Sequence, residues 1–234
     1  MKRLAIFVEG LTEQILVRNM LEKVMDRKEV AIQTVKLTGG HSRRITFTVM
    51  RAAKVTRQTG YYVLIYDCGG ETNVKGYLMT QRESLVNKGY DYILGLRDVF
   101  PNFTREEIQK LQHGLNMYLS QKAARTEIFL AVMETEAWFL GEHTHFRKVD
   151  PRLTPEYIEE KLGFNPRTEN MESREAPAHD LKMAYRLAGH DYTKKRNRLN
   201  HMVKLLNFRY FTTSLAHKME SLGAFVDCLE EFFE

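Results

Sequence analysis

Acidic residues stand at the ends of several apolar runs of strand length in this 234-residue chain. The runs and their acids are Leu4–Val8 with Glu9, Tyr61–Tyr66 with Asp67, Tyr92–Leu96 with Asp98, and Ile128–Val132 with Glu134 and Glu136. In an open α/β sheet, ligands bind in the crevice outside the carboxyl ends of the strands. A carboxylate buried there is costly unless it is paired or holds a cation. Clustered carboxylates suit Mg²⁺ or Mn²⁺, so the pattern predicts a metal site at this edge of the sheet.

Some of these acids also have a structural interpretation, which the sequence leaves open. Glu13 lies in the first turn of a predicted helix, where Thr12 would cap the helix and an acid would favour its positive end. Asp98 precedes Pro101, and turn chemistry explains an aspartate there about as well as metal binding does. Glu9 has no such explanation, so we interpret it as functional.

Glu134 and Glu136 are two residues apart in the stretch METEAWFL. In extended backbone, side chains at this spacing face the same side, so both carboxylates would lie together where an apolar strand meets a helix. The alternative interpretation places one glutamate in solvent and Trp138, the single tryptophan, in the core. We favour the paired arrangement, because acids recur at several strand ends.

Strand-like and helical patterns alternate along the first part of the chain. This alternation predicts an α/β fold, with a mainly parallel, Rossmann-like sheet flanked by helices. The further predicted elements are a strand at Val30–Val35, a phosphate-cradling or plain loop at Thr38–Arg44, and helices at Met50–Thr56, Val74–Asn87 and from Thr104.

The composition becomes polar and proline-rich after residue 142. We therefore predict an α/β domain over residues 1–142 and a mostly helical extension over residues 143–234 that packs on it. Helices are predicted at Pro155–Leu162, His179–Ala188 and Leu222–Phe233. Between the last two, the basic segment Lys194–Arg198 follows Tyr192 and could bind a phosphate backbone, although a solvated helix end would look the same.

Bulk composition excludes several classes of protein. The two cysteines, Cys68 and Cys228, lie far apart in sequence, which argues against a disulfide framework or a zinc knuckle. No apolar run reaches membrane-spanning length and no signal-peptide pattern precedes the first strand, so we expect a cytoplasmic protein without membrane contact. The formal net charge of +5 is compatible with nucleic acid as a partner but does not require it.

The ordered acidic motifs resemble those of the Toprim nuclease fold. The residues on which this resemblance depends are, in order, Glu9-Gly10-x-x-Glu13, Asp67 and Glu134-x-Glu136-Ala137-Trp138. More narrowly, the chain is similar to a small bacterial Toprim-like family with a VEG-x-TE opening and an E-x-E-A-W block, related to the overcoming-lysogenization-defect nucleases. The similarity covers roughly the first 140 residues, and more loosely the C-terminal third. One departure is Asp67-Cys68-Gly69, where Toprim domains usually carry Asp-x-Asp, and Asp98 or Glu134 could supply the missing ligand.

The resemblance implies a two-metal nuclease that uses Mg²⁺ or Mn²⁺ to hydrolyse phosphodiester bonds in DNA or RNA. It implies Glu9, Asp67 and Glu136 as first ligands, followed by Glu13, Glu134 and Asp98. A Tyr-x-Lys motif of the related family falls on Tyr192 and Lys194, which suggests Lys194 as a catalytic residue that stabilises charge at the scissile phosphate.

The resemblance also implies a role in anti-phage defence beside a separate ATPase, since the chain has no Walker motif. Self-association is left open. Two alternatives remain: a degenerate Toprim-like subunit that binds nucleic acid or a partner without metal, and a phosphohydrolase acting on free nucleotides.

Overall fold

A computed structural model describes residues 1–24, 29–40, 43–119 and 123–234 of the chain. The described strands form a six-stranded sheet in the order β3-β2-β4-β1-β5-β6. Their bounds are β1 Lys2–Val8, β2 Val30–Gly40, β3 Arg43–Arg51, β4 Tyr61–Asp67, β5 Tyr92–Asp98 and β6 Arg125–Ala131. β1 is parallel to β4 and β5, β2 is parallel to β4, and β3 is antiparallel to β2.

The central strands are continuous apolar runs because both of their faces are covered. Every residue from Leu4 to Val8 in β1 is fully buried, and so is the middle of β4. Such runs are typical of parallel strands with helices on both sides of the sheet. The predicted α/β fold, with a mostly parallel, Rossmann-like sheet flanked by helices, is confirmed.

The crossovers explain why the carboxyl end of β1 is a favourable place for a site. Helix α1 spans Leu11–Val24 and carries the chain from β1 past β4 to β2. Helix α2 spans Glu71–Asn87 and carries it from β4 past β1 to β5, in the opposite direction. Neighbouring strands whose connections diverge leave a crevice at their carboxyl ends. Helix α3, Ile108–Asn116, precedes β6.

The rest of the chain is helical, as predicted. The helices are α4 Glu136–Gly141, α5 Phe146–Val149, α6 Pro155–Leu162, α7 Pro177–Arg186, α8 Arg196–Leu205, α9 Phe208–Tyr210, α10 Ala216–Lys218 and α11 Glu220–Phe233. A π-helical turn spans Phe211–Leu215, and 3₁₀ turns span Arg105–Glu107, His143–His145 and Met171–Ser173. Within the described residues, no helix is long and apolar enough to cross a membrane.

The chain divides into two compact units. The sheet unit comprises residues 1–97, 107–130 and 230–234, and the helical unit comprises residues 98–106 and 131–229. In the helical unit Trp138 is fully buried, stacks on Phe225 and donates a hydrogen bond from Nε1 to Ser221 Oγ (3.1 Å). The predicted division into an α/β domain over residues 1–142 and an extension over residues 143–234 stays a prediction.

The region between β2 and β4 differs from the sequence-based prediction. A helix was expected at Met50–Thr56, but Met50 ends β3 together with Arg51 and the chain is irregular from Ala52. The prediction was wrong because Ile45-Thr46-Phe47-Thr48-Val49 alternates with a period of two and is rich in β-branched residues, which favours a strand, and this strand extends to Arg51. The loop expected at Thr38–Arg44 is strand in its described part, whereas His41 and Ser42 lie outside the described residues.

Gly95 in the middle of β5 permits close packing that no larger residue allows. A Cβ atom at this position would lie 2.8 Å from Cγ1 of Ile128 and 3.2 Å from Cγ1 of Val74. We expect Gly95→Ala to lower the free energy of unfolding by about 1–3 kcal/mol, because the added methyl group overpacks the core. Urea unfolding measures this loss.

Gly114→Ala in α3 is the matched control, since a Cβ there meets nothing within 4 Å. It should raise the free energy of unfolding by about 0.5–1 kcal/mol, the usual gain of alanine over glycine in a helix. Equal effects of the two substitutions would contradict the packing argument.

Candidate functional site

Glu9 and Asp67 lie at the carboxyl ends of adjacent strands in the sheet unit, Glu9 directly after β1 and Asp67 as the last residue of β4. Asp67 is the register partner of Val8, the residue before Glu9. The backbone continues this pairing beyond the strands, because the Gly70 N–H donates to the Glu9 carbonyl oxygen (2.8 Å). Asp67 is buried, and its Oδ1 accepts a hydrogen bond from the Gly69 N–H (3.0 Å). The two predicted residues therefore share one edge of neighbouring strands.

Glu13 is buried at the start of α1, and its carboxylate faces back to the turn. Its Oε2 accepts a hydrogen bond from the Gly10 N–H (2.9 Å). A glutamate that reaches back to a backbone N–H ahead of its helix satisfies a donor that the helix leaves unpaired. This contact supports the structural interpretation of Glu13, and its part in metal binding stays a prediction.

Cys68 is not equipped to act as a nucleophile. The side chain is buried, and burial together with the neighbouring Asp67 charge raises the pKa of its thiol well above the usual range. The thiolate is the reactive form of cysteine, so a raised pKa leaves this sulfur inert at neutral pH.

Asp98 holds the turn that leads into α4, within the helical unit. The side chain is buried, and its Oδ1 accepts hydrogen bonds from the Thr135 backbone N–H (2.9 Å) and from Thr135 Oγ1 (2.8 Å). A carboxylate oxygen with two such donors positions the backbone immediately before Glu136. This observation supports turn chemistry for Asp98, and its metal-ligand role stays a prediction.

The backbone around Glu134 and Glu136 is not extended, contrary to the interpretation of the sequence. Met133 has a positive φ of 60°, Thr135 has helical dihedral angles, and Glu136 is the first residue of α4. The strand geometry ends before the motif begins, so spacing by two does not place these side chains on one face. Their mutual arrangement depends instead on this turn and on what each carboxylate contacts.

Glu136 has no exposed surface, and its two oxygens have different surroundings. Tyr192 OH donates to Oε1 (2.7 Å), and Lys194 Nζ lies 2.8 Å from the same atom. Oε2 is buried and has no hydrogen-bond partner in the part of the chain that the structure describes. A buried acceptor that lacks a partner costs free energy unless another group supplies one. The Lys194 side chain is 51% exposed, so the Lys194–Glu136 pair joins a buried acid to a side chain at the surface.

Glu134 is partly buried beside Glu136 and interacts with the start of α7. Its Oε2 accepts a hydrogen bond from the Ala178 N–H (2.9 Å). Burial raises the pKa of Glu134 above its ordinary value of 4.5, and the charges of Glu136 and Asp180 add to the rise. The Ala178 hydrogen bond and the Lys194 charge act in the opposite direction. Glu134 is therefore an acid whose ionised form the folded protein disfavours.

This pKa shift predicts a pH-dependent stability difference between the wild type and Glu134→Gln. A carboxyl group with a raised pKa in the folded state stabilises the fold below its unfolded pKa of about 4.5, and this contribution is lost as pH rises through the folded pKa. Glutamine carries no charge and can keep the Ala178 hydrogen bond. We therefore expect the melting temperature of Glu134→Gln, relative to that of the wild type, to rise between pH 4 and pH 7. The size of the rise should correspond to roughly one carboxyl group with a shifted pKa. A difference that does not vary with pH would contradict the shift.

Sequence reasoning missed the partners of these acids rather than the acids themselves. Tyr192 and Lys194 came from a motif resemblance, and their common contact with Glu136 joins residues 56 and 58 positions apart. Glu142 was also missed. It is fully buried, and its Oε2 lies 3.4 Å from Nδ1 of the buried His145. An acid directly after the apolar stretch Trp138–Gly141 was the available signal.

No group of three or more His, Cys, Asp or Glu side chains is arranged to hold a metal ion among the described residues. The structure thus presents its acids as smaller sets. Glu9 and Asp67 are neighbours in the sheet unit, and Glu134 and Glu136 are neighbours in the helical unit, with Lys194 on the latter. Any bound ion would need water or substrate oxygens to complete its ligand set.

Comparison with protein families matches one family model to the part of the chain that carries all of these candidate residues. A family model described as Domain of unknown function (DUF4276) matches residues 8–205, which run from the end of β1 to the end of α8. The matched range contains every candidate residue from Glu9 to Lys194. No curated protein and no solved structure matched the chain. Because the match covers most of its length, the chain belongs to the DUF4276 family.

Proposed function

We propose that this protein is a metal-dependent nuclease that hydrolyses phosphodiester bonds in nucleic acid. The observation that carries the proposal is the state of Glu136. The carboxylate is fully buried, Tyr192 and Lys194 hold one of its oxygens, and the other oxygen has no partner within the described residues. A purely structural carboxylate is expected to use both oxygens, because buried acceptors are normally paired.

The acids in the helical unit fit a divalent cation by two criteria. A cation would give Glu136 Oε2 the partner that it lacks, and it would favour the ionised form of Glu134, whose pKa is raised by burial and, to a smaller extent, by the charges of Glu136 and Asp180. Glu134 and Glu136 are the residues that would hold Mg²⁺ or Mn²⁺ in this unit, and Glu9 and Asp67 are those of the sheet unit. When bound, such an ion supplies charge stabilisation to the phosphate and lowers the pKa of water.

The remaining residues act by position and charge. Tyr192 fixes the Glu136 carboxylate through its hydroxyl hydrogen bond. Lys194 holds the same oxygen, and its side chain is half exposed, so a phosphate can approach it from solvent. A preorganised cation at this position would stabilise the negative charge that develops on the phosphate during hydrolysis. Lys194 is accordingly the proposed charge-stabilising residue.

The wider setting is proposed from the resemblance of the motifs. The overcoming-lysogenization-defect nucleases imply an effector of bacterial anti-phage defence that acts in the cytoplasm, next to a separate ATPase. The excess of basic residues, a net +5, supports a polyanionic substrate and does not distinguish DNA from RNA.

Two observations favour a second candidate, a nucleic-acid-binding or partner-binding subunit without metal. Lys194 already neutralises the Glu136 charge, and the described residues contain no group of three ligands. In such a protein the Lys194–Glu136 pair would join the segment before α8 to α4 and do no chemistry.

Metal titration distinguishes the two candidates. We expect Mn²⁺ and Mg²⁺ to give a saturable heat change in calorimetry and to raise the melting temperature, because only the folded state assembles the ligands. At a free ion concentration 100 times the dissociation constant, the gain in unfolding free energy is about 2.7 kcal/mol. Asp67→Asn and Glu136→Gln should each reduce this gain.

Glu160→Gln is the control, since Glu160 is exposed and paired with Lys161. It should leave the metal response unchanged. If neither ion binds the wild type in the millimolar range, the nuclease proposal fails and the metal-free subunit is favoured.

A further inference from the structure

The helical unit contains a cavity of about 680 Å³ that none of the predicted metal ligands lines. Residues from the end of α7, the segment before α8, and α8 itself surround it, together with Lys148 and Val149 of α5. This volume falls within the usual range of about 300–1,000 Å³ for small-molecule sites. The size alone permits many ligands, so the chemistry of the walls must identify the class.

One wall of the cavity is apolar and aromatic. Tyr185 and Tyr192 line it, and their rings pack edge to face with centroids 6.3 Å apart. Met202 lies in the same lining, and a thioether packs favourably against flat aromatic groups. Both tyrosine rings are held by burial, which leaves little freedom to lose when a ligand binds. This wall suits a flat ring.

Basic groups form another part of the lining. Lys148, Arg198, His190 and His201 all line the cavity. The lining also contains one acid, Asp191, and Arg186 pairs with its carboxylate at 3.6 Å. The cavity therefore combines an aromatic wall with an excess of potential cations.

The first turn of α8 adds backbone donors beside these cations. Asn197 and Arg198 belong to this turn and line the cavity. Lys195 is the N-cap residue, and its side chain makes no capping hydrogen bond. The first N–H groups of a helix without a side-chain cap attract anions, because they carry the positive end of the helix dipole. A phosphate group next to Arg198 would satisfy them.

The segment Tyr192–Lys194 runs from the cavity lining to the Glu136 site. Tyr192 lines the cavity, and its hydroxyl group donates a hydrogen bond to Glu136 Oε1 (2.7 Å). Thr193 also lines the cavity, and its Oγ1 is buried without a hydrogen-bond partner among the described residues. Lys194, the next residue, contacts the same Glu136 oxygen. A ligand in the cavity would thus lie one side chain away from the proposed reacting centre.

From these features we propose that the cavity binds a phosphorylated nucleoside, with its base against the tyrosine wall and its phosphate at Arg198 and the start of α8. The inference rests on the proposed nuclease function only where it identifies the bound nucleotide as part of the nuclease substrate. The source is either a free mononucleotide or one residue of a polynucleotide, and the two share the same recognition chemistry.

Calorimetry in EDTA tests binding without any cleavage. The probes are nucleoside 5′-monophosphates, the matching nucleosides, inorganic phosphate, and a short single-stranded oligonucleotide. We expect a monophosphate to bind more tightly than its nucleoside and more tightly than phosphate. Arg198→Ala should weaken binding of the monophosphate by about tenfold or more, the usual effect of losing a hydrogen bond to a charged group, and should leave nucleoside binding unchanged.

Lys204→Ala is the matched control, because Lys204 is an exposed cation in the last turn of the same helix and outside the cavity lining. It should not change the affinity for the monophosphate. An oligonucleotide that binds more tightly than the monophosphate identifies a polynucleotide as the source, and equal affinity identifies the free nucleotide. If phosphate binds as tightly as the monophosphate, or Arg198→Ala has no effect, the inference is overturned.

The binding assay also separates this inference from the proposed function. Glu136→Gln should lose cleavage and keep monophosphate affinity in EDTA, because Glu136 does not line the cavity. Cleavage without monophosphate binding would remove the nucleotide pocket and leave the nuclease proposal standing. Monophosphate binding without cleavage or metal binding would remove the nuclease and leave the pocket.

Discussion

Glu136→Gln is expected to lower turnover on nucleic acid by about 10²–10³-fold or more, which is the scale of losing one preorganised electrostatic group in an active site. Glutamine keeps the volume of the side chain, and its carbonyl oxygen can still accept the hydrogen bond from Tyr192 OH. The substitution removes the charge that Lys194 pairs with and the charge that a cation would need. Activity should therefore fall because the carboxylate charge is lost and not because the protein unfolds, since the packing around α4 is kept.

Initial rates on single-stranded and double-stranded substrates, with Mn²⁺ or Mg²⁺ in excess, measure this loss. The melting temperature of the variant must be recorded alongside, because a large drop would make the rates uninterpretable. Glu160→Gln again serves as the control and should retain full activity. If Glu136→Gln kept the wild-type turnover, Glu136 would have a structural role at the start of α4 and no role in cleavage.

Lys194→Ala is expected to reduce cleavage far more than Lys195→Ala, although the two lysines are neighbours in sequence. Lys194 Nζ lies 2.8 Å from Glu136 Oε1, whereas Lys195 is exposed and precedes the first turn of α8. We expect a loss of about 10²-fold for Lys194→Ala, because under the proposed function it removes the cation that would stabilise the charge developing on the phosphate. Lys195→Ala should change the rate by only a few fold, through affinity.

Stability data keep this comparison interpretable. Removing Lys194 leaves a buried carboxylate without its cation, which should cost on the order of 1–3 kcal/mol of unfolding free energy, the scale of a hydrogen bond to a charged group. Rates must therefore be compared at temperatures well below both melting transitions. Equal loss of activity in the two variants would contradict the assignment of Lys194 to the reacting centre.

The salt dependence of the rate tests whether the neighbouring cations contact a polymer. Each phosphate contact that a cation makes adds about −0.7 to −0.9 to the slope of log affinity against log salt. The double variant that carries Arg196→Ala and Arg198→Ala should therefore bind nucleic acid more weakly than the wild type. Its log affinity should also fall less steeply with log salt. Identical slopes would make Lys194–Arg198 an ordinary solvated helix end, and the nucleic-acid path would be abandoned before the metal site.

The sequence by itself determined the parallel strands at the centre of the sheet and the helical C-terminal part. Apolar runs such as Leu4–Val8 and Tyr61–Tyr66 can only be buried on both faces, so they predict central parallel strands whatever the surroundings. The helix at Pro155–Leu162 was likewise predicted with its observed bounds, since its cap, proline and terminal glycine are local signals. β3 was missed although the alternation of residues 45–49 is a local strand signal, because Phe47 and Val49 remain half exposed and mark no core-facing side, and the strand is held by its pairing with β2.

Only the tertiary structure decided what each acid contacts. The motif Glu134-x-Glu136 indicated two acids at a strand end, but Met133 takes a positive φ and breaks the extended geometry that the spacing assumed. The Tyr192 and Lys194 contacts with Glu136, and the use of Asp98 Oδ1 by Thr135, join residues 37 to 58 positions apart. Contacts at such separations depend on how the intervening elements pack, and short sequence motifs carry no information about that packing.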